Sequence, residues 1–170
     1  GEVLSFSVPA ASEGREAELV YHEASLRRFF ETLGYRAVAI NEGLAVIFSE
    51  LEDQNFTGIG ISCGGGMCNV ALAYLSIPSL LFGISKGGDY IDNSVGSVVN
   101  EPSTRIKTIK EEKLDLTKAP VDKLEKALHI YYEDLVESLT DAIRKAIAKA
   151  DKLPRAHRPL PIVIAGGAAK

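Results

Sequence analysis

Over its first 56 residues the chain alternates two periodicities, and that alternation narrows the folds open to it. Leu4 to Val8 is a short apolar run closed by Pro9. Ser12 then offers a helix cap. From Arg15 to Leu33 apolar residues recur at Ala17, Val20, Ala24, Leu26, Phe29, Phe30 and Leu33, a helical spacing that Gly34 stops. Arg36 to Ile40 is strand-like again. Gly43 opens a second helix through Leu51, which the polar segment Glu52 to Thr57 ends. The order β-α-β-α favours parallel strands with helices packed on them.

The texture changes after residue 57. Gly58 to Ser62, Asn69 to Leu75 and Ser79 to Ser85 are three strand-like runs, joined by Gly64-Gly65-Gly66 and by a turn that Pro78 punctuates. Short glycine turns between strands predict an antiparallel meander. Gly87-Gly88 ends the third run, and a short helix follows over Tyr90 to Val99. Glu101-Pro102 marks a break, and Ser103 caps a helix to about Glu112. The longest helix spans Pro120 to Lys152, with one apolar stripe at Val121, Leu124, Leu128, Tyr131, Leu135, Leu139, Ile143 and Ile147. A single stripe on a charged rod predicts a helix covering a sheet rather than a coiled coil. Pro154, Pro159 and Pro161 stiffen the loop into a last strand, Ile162 to Ala165, which runs into Gly166-Gly167. No solenoid repeat is visible. The class is α/β with a mixed sheet.

Composition narrows the partners. Hydrophobic residues make up 46% and charged residues 25% of the 170, a globular balance. The formal charge of -4 argues against a nucleic-acid arm or a polybasic membrane anchor. No apolar run approaches the ~20 residues that span a bilayer, so a soluble protein with no membrane span is expected. The chain opens on Gly1 with no basic-then-apolar leader, which predicts a cytoplasmic protein and an excised or processed piece. Its two cysteines, Cys63 and Cys68, lack the C-x2-C spacing of zinc or redox sites, and His22, His129 and His157 are scattered. Two small buried thiols and no metal site are expected.

Four places carry candidate chemistry, each with a structural alternative. In GISCGGGMCNV, Gly60 to Val70, three glycines let the backbone turn with φ above zero and gather N–H groups into an anion nest; the alternative is a plain turn. In SKGGDYID, Ser85 to Asp92, Gly87-Gly88 permits close approach to a ligand, or Asp89 merely caps the next helix. The closing PIVIAGGAAK delivers an apolar strand into paired glycines, the ligand-bearing edge of many α/β sheets or simply a turn. Glu42, where a strand meets a helix, suits a carboxylate that orients water, or a solvated strand-end acid.

Taken in order, these segments resemble the actin-like ATPase superfamily, which includes MreB, the DnaK-type chaperones and the sugar kinases. The family's V-P-A, N-E-P, D-x-G-G-G-T-T, G-G-D-x-x-D, E-R-x-K and terminal G-G-G places hold Val8-Pro9-Ala10, Asn41-Glu42-Gly43, Ser62 to Cys68, Gly87-Gly88-Asp89 with Asp92, Thr104 to Lys107, and Ala165-Gly166-Gly167. The likeness covers nearly the whole chain and is nearest to MreB and DnaK-type members.

The resemblance implies a ribonuclease-H-like mixed sheet with flanking helices, and ATP with Mg2+ in a cleft between two domains. Residues 1–56 would be the back half of the first domain. Residues 57–170 would be the second, with a helical insert near 90–118. By resemblance Glu42 is the water-positioning acid, and Gly64, Gly65 and Gly66 wrap the phosphates between Ser62 and Met67. Gly87, Gly88 and Asp89 approach the nucleotide from the second domain, Lys107 packs on the adenosine, and Gly166 and Gly167 leave room for sugar and base. The departures are chemical. Ser62 replaces the family's aspartate, Met67 and Cys68 replace hydroxyl residues, Asn69 replaces an acid, Gly43 a proline, and Thr104 a glutamate. The first phosphate loop, D-x-G-T, is absent. Resemblance and departures together imply a nucleotide-binding fragment with weakened or lost hydrolysis, or an assembly or scaffold module that keeps the fold without nucleotide. Nucleotide, self-assembly and a protein partner are the interactions implied.

Overall fold

The computed structural model describes residues 2–10, 16–150, 153–154 and 158–169. The proposed Ser12 cap, the start of the first helix at Arg15, the helix end at Lys152, and His157 lie outside these. Strands β1 (Val3–Val8) and β2 (Arg36–Asn41) pair in parallel, linked by helix α1 (Glu16–Thr32). This is the crossover the alternating periodicity predicts. Gly34 follows α1 with φ of 88°, a left-handed turn that glycine adopts without strain. Helix α2 (Glu42–Glu50) comes next, capped by Asn41, whose Oδ1 accepts the N–H groups of Gly43 at 2.9 Å and Leu44 at 3.3 Å. Glu42 thus belongs to the helix, one residue earlier than its sequence suggests.

The second sheet contains β3 (Gly58–Cys63), β4 (Cys68–Tyr74), β5 (Ile77–Ile84) and β6 (Ile162–Ala165) in the order β5-β4-β3-β6. β3, β4 and β5 form the expected antiparallel meander, and β6 lies parallel beside β3. Pro78 falls inside β5 rather than before it. β5 is an edge strand, where a missing N–H costs no ladder bond, and the pairing slips at Leu72/Ala73 to accommodate it.

Helices α3 (Gly88–Val99), α4 (Ser103–Glu112) and α5 (Lys123–Lys149) complete the molecule. α3 starts two residues before Tyr90, and its cap is Gly87, so Asp89 is not the N-cap. Ser103 is the first residue of α4, behind Pro102, rather than its cap. α5 is shorter than Pro120 to Lys152. The Asp122 carboxylate accepts the Glu125 N–H at 2.8 Å and starts the helix there, which leaves Val121 outside and 84% exposed.

The central sheet sorts its side chains by size. Ile59, Ile61, Cys63, Cys68, Val70 and Leu72 enter the main core with Ile91, Val95, Ile106, Leu128, Leu135 and Leu139 of the helices. Between them, Gly60, Ala71 and Ala73 face the other way, where α2 packs with Leu44, Ile47 and Leu51. A Cβ on Gly43 would lie 2.7 Å from the Ala71 nitrogen, so the helix sits on the sheet with backbone against backbone.

Candidate nucleotide site

Three glycine-bearing tips meet at one end of the central sheet. The β3–β4 turn places Gly64 and Gly65 beside the start of α3: the N–H of Gly88 donates to the Gly64 carbonyl at 2.9 Å, and that of Asp89 to the Gly65 carbonyl at 2.8 Å. A Cβ on Gly87 would stand 2.5 Å from both of those carbonyl oxygens. The third tip follows β6. Gly166, with φ of 106°, lies against the Cys63 backbone, and Ala168 donates its N–H to the Cys63 carbonyl at 3.1 Å. These contacts explain the glycines differently from the sequence. None of Gly64, Gly65 and Gly66 has positive φ. Space is tight only at Gly64, where a Cβ would lie 3.3 Å from the Met67 carbonyl, and at Gly65, where it would lie 3.0 Å from Asp89 Oδ2; a Cβ on Gly66 would meet nothing within 4 Å.

The tips enclose a cavity of about 170 Å3 lined by Gly64, Gly65, Gly88, Asp89, Lys107 and Gly167, together with Asp92, Lys110, Glu111 and Ala168. Six of the expected residues therefore share one hollow. Gly66 is exposed at the tip, Gly87 is buried behind the wall, and Gly166 is exposed with its Cα against the Cys63 backbone. Lys107 is exposed and pairs loosely with Glu111 at 3.9 Å.

Behind Lys107 stands a residue that the sequence motifs do not single out. Lys110, nearly fully buried, lies 2.7 Å from Asp92 Oδ1 and donates to the Gly88 carbonyl at 3.0 Å. A buried charge needs such a partner, and the pair locks α4 to the first turn of α3. Its signal was available: Lys110 is one helical turn from Lys107, and Asp92 one turn from Gly88.

Glu42 stands apart from this hollow, on the α2 face of the same hairpin. Its Oε2 accepts from Ser62 Oγ at 3.2 Å and from Asn69 Nδ2 at 2.7 Å. Fully buried Asn69 turns its Oδ1 to the Ala10 N–H at 2.6 Å, joining the end of β1 to the central sheet. Met67 also turns to this side: its methyl group would be 2.6 Å from a Cβ on Gly83. Ser62 and Asn69, which stand where the family has acids, are thus neutral partners of one carboxylate, while Cys68 faces the main core. Mg2+ is held through one or two carboxylates together with phosphate oxygens and waters, and here Glu42 is the single charged donor beside Ser62 and Asn69. Among the described residues no three of His, Cys, Asp or Glu gather as metal ligands.

The mixed sheet with flanking helices is that of the actin-like ATPase fold. All of the chain, residues 1–170, matches the family described as Volactin, and the chain belongs to that family. Among solved structures it is similar to the ethanolamine utilization protein EutJ from Carboxydothermus hydrogenoformans, with 15% identity and a TM-score of 0.65 over 99% of this chain and 53% of that one. It is also similar to MreB 5 of Spiroplasma citri bound to AMPPNP (12% identity, TM-score 0.69, 97% of this chain and 56% of that one). A third likeness is to the MamK double helical filament (17% identity, TM-score 0.70, 96% and 55%). The chain spans about half the length of these structures. No curated protein matches it. Among the described residues no helix is long and apolar enough to cross a membrane.

Proposed function

We propose that this chain is the nucleotide-cradling part of a cytoplasmic actin-like protein that binds ATP and hydrolyses it weakly or not at all. The observation that carries this is the convergence of Gly64-Gly65, Gly88 and Gly167, distant in sequence, on one hollow. At about 170 Å3 that hollow is smaller than the ~300–1,000 Å3 of most ligand pockets, as suits one wall of a cleft. In this reading residues 1–56 belong to the first actin-like domain and 57–170 to the second. The exposed turn at Gly65 and Gly66 faces the phosphates, and Lys107 covers the nucleoside. Mg2+ arrives on the phosphates with its waters. Glu42 is the acid this reading assigns to orienting water, and its neutral neighbours Ser62 and Asn69 supply no second charge, which is why hydrolysis is weak. MreB 5 has been solved bound to AMPPNP and to ADP, which supports nucleotide as the ligand class.

One observation favours a second reading, a scaffold that assembles without nucleotide. The Gly88 and Asp89 N–H groups already serve the turn's carbonyls, and the Asp89 carboxylate rests on Gly65 where it repels a phosphate. Calorimetric titration of Mg-ATP into the complete protein separates the two, with phosphate release followed in parallel. Binding with little phosphate release is expected. No heat and no thermal shift at millimolar nucleotide, with sedimentation unchanged by ATP, would leave the scaffold alone standing.

A further inference from the structure

Cys63 and Cys68 are partners in the β3–β4 register, at the last pair before the glycine turn, and both thiols are free and buried, Cys63 5% exposed and Cys68 fully enclosed. Their side chains enter the same core face. The Gly64 N–H donates to the Met67 carbonyl at 2.9 Å, which makes Gly64/Met67 the hydrogen-bonded pair and Cys63/Cys68 the non-hydrogen-bonded one. In such pairs the Cα atoms are about 4.5 Å apart and the side chains closest. That separation falls inside the ~4.4–6.8 Å range that disulfides span, near its short end.

We propose that Cys63 and Cys68 are a redox pair that closes to a cross-strand disulfide at the base of the glycine turn, by exchange with a low-molecular-weight disulfide of the glutathione class. The two thiols interact directly. Contact with Cys68 holds the Cys63 thiol below its ordinary value, whereas the same contact and burial push Cys68 up. Cys63, which also lies nearer the surface of the two, is the first nucleophile. Its thiolate attacks one sulfur of the oxidant, breaking that S–S bond and releasing one small thiol. Cys68 then loses its proton and attacks the Cys63 sulfur of the mixed disulfide, expelling the second small thiol. Two protein thiols and one small disulfide become one protein disulfide and two small thiols, so electrons and protons balance. This exchange requires no bound nucleotide.

Equilibrating the folded protein with oxidised glutathione, alkylating it and digesting with trypsin tests this, because Arg36 and Lys86 bound one peptide carrying both cysteines. The expected peptide escapes alkylation, is two hydrogens lighter than the reduced form, and is restored by dithiothreitol. In Cys68→Ser the reaction stops at a glutathione adduct on Cys63. Two alkylated cysteines in the parent protein, a stable adduct in place of the internal bond, or closure only after denaturation would overturn the proposal.

Discussion

Tyr132 is 5% exposed, and its hydroxyl has no hydrogen-bond partner among the described residues. Burial first, then the negative charge of Asp92, Cys63 and Glu111, pushes its pKa from 10.0 up to about 12. Between those values the unfolded chain releases this proton while the folded one keeps it, so the contribution to stability is full below pH 10 and lost as pH rises to about 12. Tyr132→Phe removes both the unpaired hydroxyl and this slope. Its stability at neutral pH should equal the parent's or exceed it by up to about 1 kcal/mol. Denaturant unfolding at neutral and alkaline pH should show a shallower alkaline decline, and a loss above about 1 kcal/mol at neutral pH would mean that the hydroxyl has a partner. The sequence pointed to the neighbouring Tyr131 as the stripe residue. In the structure Tyr131 is half-buried, edge-on to Tyr90, and Tyr132 takes the core position. A helical stripe is wide enough to admit either of two adjacent residues, and only the surface it meets chooses.

At the scale of elements, α2 packs on β3 and β4 with backbone against backbone. A Cβ on Gly60 would overlap the Gly43 carbonyl and lie 2.8 Å from the Ile47 side chain, whereas a Cβ on Gly66 meets nothing within 4 Å. Gly60→Ala should therefore cost about 1–3 kcal/mol as α2 is pushed off the sheet. Gly66→Ala should stay within about 0.5 kcal/mol. Thermal unfolding of both variants checks this, and equal effects would refute backbone-to-backbone packing. α2 itself was legible from its apolar residues and the polar segment behind it. Which sheet it covers was not, because that depends on Gly60, Ala71 and Ala73 forming a shallow face across two strands. The ends of α5 show the same limit. Val121 and Ile147 continue the stripe yet are 84% and 40% exposed, since periodicity runs on past the sheet that buries it.

For the whole molecule, protection should be uneven. β3 and β4 have partner strands on both sides and helices on both faces. β1 and β2 form a two-stranded sheet with a small core of Phe6, Val8 and Ala37. Hydrogen exchange of the folded protein should be slowest in β3 and β4, and faster in β1 and β2 by at least about tenfold; uniform exchange would mean one cooperative unit. The amino-acid order alone determined the succession of strands and helices, the glycine tips and the likeness to actin-like proteins, because periodicity and turn chemistry are local. Only tertiary structure decided that six candidate residues share one hollow while Glu42, Ser62 and Met67 face the other side of the hairpin. It alone also paired Lys110 with Asp92 and Cys63 with Cys68. Those pairings arise where separate stretches of backbone close on one another, and in that closure a strand's alternation sends adjacent residues to opposite faces.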